Sequence, residues 1–129
     1  MARILVVDDD PMILQLLVEI LNKPGYDVRT TTSGDEAIRI SEAWLPNVAI
    51  VDVVMPGKGG LETIMELRQL VPKTRILVLT GRVPTEATVL DELAASFGAG
   101  SVLRKPIPNE VLLQAVETAL ASVERSDME

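Results

Sequence analysis

Apolar residues fall into short continuous runs separated by longer stretches in which they recur every three or four positions. The short runs predict five strands, at residues 4–7, 26–31, 48–52, 75–80 and 101–104. A continuous apolar run is typical of a strand covered on both faces, as in a parallel sheet. The second run is more polar than the others, which favours a position at the edge of the sheet.

The stretches between the runs have the spacing of amphipathic helices. Asp10 before Pro11 predicts the start of the first helix, with Asp10 as its N-cap and not as a metal ligand. Ser33 and Glu36 have the form of a capping box that begins the second helix. The other three helices are predicted around residues 61–71, 89–97 and 111–120.

Five strands that alternate with five helices predict an α/β fold with a doubly wound parallel sheet and right-handed crossovers. With 129 residues the chain is expected to form one domain, over residues 1–121. Residues 122–129 are polar and are expected to fray or to begin a linker.

Composition narrows the possible functions. The net charge of -7 argues against direct binding of nucleic acid by this domain. Cysteine and histidine are absent from the sequence, which excludes thiol nucleophiles, cysteine zinc sites and the commonest general base. No apolar run has the length of a signal-peptide core or a membrane span, so we expect a cytoplasmic protein without membrane association.

Polar residues stand where the predicted strands end: Asp8 and Asp9, Asp52, Thr80, and Lys105. Ligands of an open parallel sheet bind at the carboxyl ends of its strands, so these residues are expected to converge. Two carboxylates about 4 Å apart repel by roughly 4 kcal/mol at an effective dielectric of about 20, so three clustered acids require positive charge. Lysine supplies one charge, and an all-oxygen pocket suits Mg²⁺ for the remainder.

Such a pocket favours phosphoryl transfer. With the metal and Lys105 neutralising an incoming phosphoryl group, one carboxylate can attack phosphorus and form an aspartyl phosphate.

Five short motifs in the chain together resemble those of the response-regulator receiver domain of bacterial two-component signalling. They are Val7-Asp8-Asp9-Asp10-Pro11, Asp52-Val53-Val54-Met55-Pro56 with Gly60, Leu79-Thr80-Gly81, Gly98-Ala99 and Lys105-Pro106. The resemblance covers essentially the whole chain and implies a flavodoxin-like strand order of 2-1-3-4-5.

The resemblance also implies the roles of individual residues. Asp52 would be phosphorylated by a histidine kinase, and Asp8 and Asp9 would hold Mg²⁺ together with Asp52 and the Val54 carbonyl. Thr80 would hydrogen-bond the phosphoryl group, and Lys105 would pair with it. The Lys105–Pro106 peptide bond is similar to one that is cis in the family.

On this basis the chain is expected to be a phosphoacceptor switch and not an enzyme. At most it would phosphorylate itself from small donors and dephosphorylate itself. Its implied partners are a histidine kinase and an unknown output domain or partner protein, with a phosphorylation-dependent dimer as a further option.

Two features depart from the family pattern. Val102 stands three residues before the lysine, where an aromatic residue is usual, and the segment from Thr80 to Lys105 is slightly longer than usual. A further hypothesis is that Arg82 approaches the phosphoryl group and alters the access of water.

Two alternatives stay open. One is a pseudo-receiver that binds proteins without being phosphorylated. The other is a phosphohydrolase of the haloacid dehalogenase type, which requires an aspartate two residues after the nucleophile, where this chain has Val54.

Overall fold

The computed structural model describes residues 1–53, 60–80 and 102–128. The predicted fourth helix, around residues 89–97, lies outside them. In the described ranges, no helix combines the length and the apolar character that crossing a membrane requires.

The sheet has five parallel strands in the order β2-β1-β3-β4-β5, which confirms the predicted α/β class and strand order. Its strands are β1 (Arg3–Val7), β2 (Asp27–Thr31), β3 (Val48–Asp52), β4 (Arg75–Thr80) and β5 (Val102–Arg104). The polar strand β2 lies at an edge of the sheet, as its composition predicted.

Four helices lie within the described residues. They are α1 (Pro11–Asn22), α2 (Gly34–Trp44), α3 (Gly60–Leu70) and a C-terminal helix (Asn109–Met128). The C-terminal helix continues through Ser122, where the sequence predicted the start of a polar tail. The domain boundary placed there stays a prediction.

Both predicted N-caps are present. The Asp10 side chain accepts a hydrogen bond from the Met12 N–H, and the Ser33 hydroxyl accepts one from the Glu36 N–H. Each cap satisfies one of the N–H groups that a helix start leaves without a partner. The two helices that follow therefore begin at defined positions beside the ends of β1 and β2.

Two apolar cores cover the two faces of the sheet. Alternate residues of β1 belong to different cores: Ile4 and Val6 pack with α1 and the C-terminal helix, whereas Leu5 and Val7 pack with α2 and α3. Because side chains alternate between the faces of a strand, a strand covered on both sides must be apolar throughout. This arrangement holds the carboxyl ends of the strands at one edge of the sheet.

Candidate functional site

The predicted site residues lie at the carboxyl edge of the sheet. Asp8 directly follows β1, Asp52 ends β3, Thr80 ends β4 and Lys105 directly follows β5. Because all five strands are parallel, the fold brings these four strand ends to the same edge.

Three carboxylates form the centre of the site. Asp8, Asp9 and Asp52 each offer an oxygen, and these oxygens lie within 4.8 Å of one another. Asp8 is fully buried and Asp52 is 3% exposed, whereas Asp9 is exposed. Buried charges require partners of opposite sign, and a cluster made only of carboxylate oxygens fits a hard divalent cation such as Mg²⁺.

Lys105 joins two of these acids. Its Nζ lies 2.7 Å from Asp8 Oδ2 and 3.1 Å from Asp52 Oδ2, and its side chain is 21% exposed. Burial lowers the pKa of Lys105, but its interactions with Asp8 and Asp52 outweigh burial, and the pKa is raised above the ordinary lysine value. Lys105 is therefore charged at neutral pH, yet one ammonium cannot balance three carboxylates.

The main chain fixes Lys105 relative to β4. The Lys105 N–H donates to the Thr80 carbonyl over 2.8 Å, which ties the residue to the end of that strand. The Lys105–Pro106 peptide bond is cis, as the resemblance implied.

Asp8 is held from both its backbone and its side chain. Its N–H donates to the Thr31 carbonyl over 3.2 Å, and its Oδ1 accepts the Asp10 N–H over 2.9 Å. The other oxygen, Oδ2, is the one that pairs with Lys105. The contacts with Thr31 and Asp10 were not predictable from residue types, because they depend on the local direction of the backbone.

Thr80 brings a buried hydroxyl to the same edge. The residue is 2% exposed, and its Oγ1 has no hydrogen-bond partner within the described part of the chain. A buried hydroxyl without a partner is costly by roughly 1–3 kcal/mol, so this group is suited to bind an incoming oxygen.

Gly60 lies against the backbone of Asp52, a contact that sequence reasoning missed. A Cβ built on Gly60 would overlap the Asp52 carbonyl oxygen and would lie 2.6 Å from the Val53 Cα. The third helix is predicted around residues 61–71, which leaves Gly60 in the loop before it, whereas Gly60 is the first residue of α3. The available signal was a glycine directly before a predicted helix.

Some predicted features lie elsewhere. Val54, the predicted carbonyl ligand, and Arg82 lie outside the described residues. Val102 is half-buried in β5 and packs against the core on the α2 and α3 face. A groove of about 380 Å³, lined by residues 45–47 and 70–74, lies at the opposite edge of the sheet and contains none of the predicted site residues.

A family profile matches most of the chain. The profile is that of the response regulator receiver domain, and it matches residues 4–117.

Curated relatives are of two kinds. The chain is 32% identical over 122 residues to protein PilH of Pseudomonas aeruginosa, a match that covers 94% of this chain and 99% of PilH. It is 33% identical over 120 residues to the transcriptional regulatory protein GlrR of Escherichia coli, but that match covers 92% of this chain and only 26% of GlrR. The chain is thus similar to nearly all of one relative and to about a quarter of another.

Solved structures with the same fold include chemotaxis protein CheY4 of Vibrio cholerae, with a TM-score of 0.81, 33% identity and coverage of 93% of this chain and 99% of that chain. A response regulator receiver domain protein of Clostridium thermocellum has a TM-score of 0.86 and 31% identity, with 96% of this chain and 98% of that chain covered.

Proposed function

Because the chain belongs to the response regulator receiver domain family, we propose that Asp52 is its phosphoacceptor and that a histidine kinase is the donor. Members of this family are signalling switches and not enzymes of metabolism. The observation that carries the assignment to this chain is the cluster of buried Asp8 and Asp52 with exposed Asp9, and Lys105 paired with the two buried acids.

In the proposed reaction, an oxygen of Asp52 attacks the phosphorus of a phosphohistidine. An O–P bond forms and the P–N bond breaks, and the electron pair of that bond returns to the imidazole, which takes up a proton from solvent. The products are an aspartyl phosphate and neutral histidine.

The acids are proposed to hold Mg²⁺ at this site. Asp8, Asp9 and Asp52 would supply carboxylate oxygens, and the Val54 carbonyl is a further proposed ligand. A bound Mg²⁺ neutralises negative charge on the carboxylates and on the phosphoryl oxygens. Asp8 is suited to this role because two backbone hydrogen bonds fix its position.

Lys105 and Thr80 are proposed to bind the phosphoryl group once it is attached. Lys105 already lies 3.1 Å from Asp52 Oδ2, so its ammonium can turn to a phosphoryl oxygen on the same carboxylate. The Thr80 hydroxyl, which has no hydrogen-bond partner among the described residues, would gain one from the same event. Because Thr80 ends β4 and Lys105 follows β5, both contacts would draw the ends of these two strands toward the phosphoryl group in the phosphorylated form.

The wider role follows from the family. Receiver domains interact with histidine kinases, from which they receive the signal, and with output domains, to which they pass it. For this chain we propose a cytoplasmic location, a histidine kinase as donor, and an output domain or partner protein that reads the phosphorylated state. A phosphorylation-dependent dimer is a further proposal. We also propose that the chain can phosphorylate itself from small donors and dephosphorylate itself. We propose that the domain does not contact DNA itself, because its net charge is -7.

The direct test is labelling with acetyl phosphate in Mg²⁺, followed by intact-mass spectrometry. Asp52→Asn is expected to abolish phosphate incorporation, because an amide oxygen is a poor nucleophile and gives no stable acyl phosphate. Asp35→Asn is the matched control, since Asp35 is an exposed acid on α2, and it should label like the wild type.

Undiminished labelling of Asp52→Asn would show that another residue is the acceptor. A wild-type protein that does not label with acetyl phosphate or with any histidine kinase of its source would favour the pseudo-receiver.

A further inference from the structure

Asp10 caps α1 with its side chain and also contacts Asp8 with its backbone, a contact that the N-cap role does not account for. Its N–H donates to Asp8 Oδ1 over 2.9 Å, and its own Oδ1 accepts the Met12 N–H over 2.9 Å. Its backbone is extended, with φ -96° and ψ 110°. The residue thus links one acid of the cluster to the start of α1.

We propose that Asp10 is a positioning residue for the metal site: it holds Asp8 in place through its backbone N–H, whose direction its own side-chain cap fixes. The inference rests on the proposed function, because it assumes that Asp8 is a metal ligand.

The two oxygens of Asp8 have different partners, which supports this role. With Oδ1 held by the Asp10 N–H, Oδ2 is left to face Lys105 and the cluster. A carboxylate free to rotate would not keep an oxygen directed at the cluster, and a metal ligand oriented by a second group binds the metal more tightly than a free one. The Asp10 N–H therefore fixes the orientation in which Asp8 presents its second oxygen to the cluster.

The cap is the part of Asp10 that can hold this N–H in place. Pro11 restricts Asp10 to the extended region but leaves a range of about 80° to its φ, the torsion that relates the Asp10 N–H to the rest of the residue. The hydrogen bond from the Met12 N–H to the Asp10 carboxylate narrows that range by tying the side chain to the first turn of α1. Without it, the first turn can fray and the Asp10 N–H can turn away from Asp8.

A competing explanation would be the negative charge of Asp10. The residue is exposed, and it is not among the acids whose oxygens cluster within 4.8 Å. Asparagine caps a helix about as well as aspartate but carries no charge, so Asp10→Asn separates the two explanations.

The experiment measures Mg²⁺ affinity by isothermal titration calorimetry on the unphosphorylated full chain. Asp10→Ala is expected to weaken Mg²⁺ binding by about tenfold, at the lower end of effects from groups that orient metal ligands. Asp10→Asn is expected to stay within about twofold of the wild type, because it keeps the cap. Equal weakening in both variants would show that charge is responsible and would overturn the proposal.

Ser33→Ala controls for lost stability. Ser33 caps α2 as Asp10 caps α1, so its loss destabilises the protein by a similar mechanism. This variant is expected to bind Mg²⁺ like the wild type. If it binds as weakly as Asp10→Ala, the effect is one of general stability and the proposal fails.

A metal-independent measurement distinguishes failure of this inference from failure of the proposed metal site. Hydrogen exchange at the residue-10 amide, without Mg²⁺, should be slow in the wild type and Asp10→Asn and faster in Asp10→Ala. Unchanged exchange in Asp10→Ala overturns the positioning role alone. Wild-type protein that binds Mg²⁺ no better than Asp8→Asn overturns the metal site on which the role rests.

Discussion

Lys105 dominates the charge balance of the site at the scale of single residues. Its ammonium lies within 3.1 Å of both Asp8 and Asp52, which are almost completely buried. Removing one partner of a buried ion pair leaves an uncompensated charge, which destabilises a protein more than the pair itself stabilises it. Lys105 is therefore important for stability before any phosphoryl group arrives.

Lys105→Met is expected to lower the free energy of unfolding by about 1–3 kcal/mol near neutral pH, less than for a fully buried pair because the lysine is partly exposed. The pKa of Lys105 is raised in the folded state, so its contribution is fully present below the unfolded lysine pKa of about 10.5. It is lost as the pH rises through the higher folded value. Urea unfolding of wild type and variant from pH 7 upward checks this.

The expected difference between the two proteins is constant up to about pH 10 and shrinks above it. Lys73→Met, at an exposed lysine after α3, should show almost no difference at any pH. A Lys105 effect that disappears well below pH 10 would contradict the ion-pair explanation.

Sequence reasoning worked well for residues whose position follows from the strands. Asp8, Asp9 and Asp52 converge because they stand at strand ends of a parallel sheet, and the apolar runs identify those ends. It failed for the hydrogen bond from the Asp10 N–H to Asp8, since a backbone N–H carries no residue-type signal. Side-chain chemistry was predictable here, whereas the contacts that orient it were not.

At the scale of elements, the start of α3 and the end of β3 are in direct contact. Gly60 begins the helix with its Cα against the Asp52 carbonyl, so no other residue fits without movement. The apolar face predicts the third helix around residues 61–71, so the sequence alone leaves Gly60 in the loop before it. In the structure α3 begins one residue earlier, at Gly60, where the contact with Asp52 leaves no room for a side chain.

Gly60→Ala is expected to destabilise the protein by about 2–3 kcal/mol, because the added Cβ forces α3 away from the backbone of Asp52 and Val53. The same displacement should reduce phosphate incorporation at Asp52. Urea unfolding and acetyl phosphate labelling measure the two effects.

Gly25→Ala is the matched control. Gly25 has a φ of +93° and open space around the position of a Cβ. Its replacement should destabilise through backbone strain alone, by about 1 kcal/mol, and leave labelling unchanged. If Gly60→Ala labelled normally and lost no more stability than Gly25→Ala, the contact between Gly60 and the backbone of Asp52 would contribute neither to stability nor to phosphorylation.

At the scale of the whole molecule, two apolar cores hold an edge whose charges repel one another. Three carboxylates converge against one ammonium in a chain whose net charge is already -7. Sites built for function are commonly destabilising, and the rest of the fold offsets that loss. The sheet, covered on both faces, supplies the rigidity that keeps the acids together.

A cation that binds between these acids should therefore stabilise the folded protein. At Mg²⁺ ten times its dissociation constant, the free energy of unfolding is expected to rise by about 1.4 kcal/mol if only the folded state binds. Urea unfolding in MgCl₂ and in NaCl of equal ionic strength separates binding from screening. Asp8→Asn should keep only the effect of ionic strength, because it removes a buried ligand. An equal gain from Mg²⁺ in wild type and Asp8→Asn would mean that Mg²⁺ acts on the net negative charge of the chain and not at this cluster.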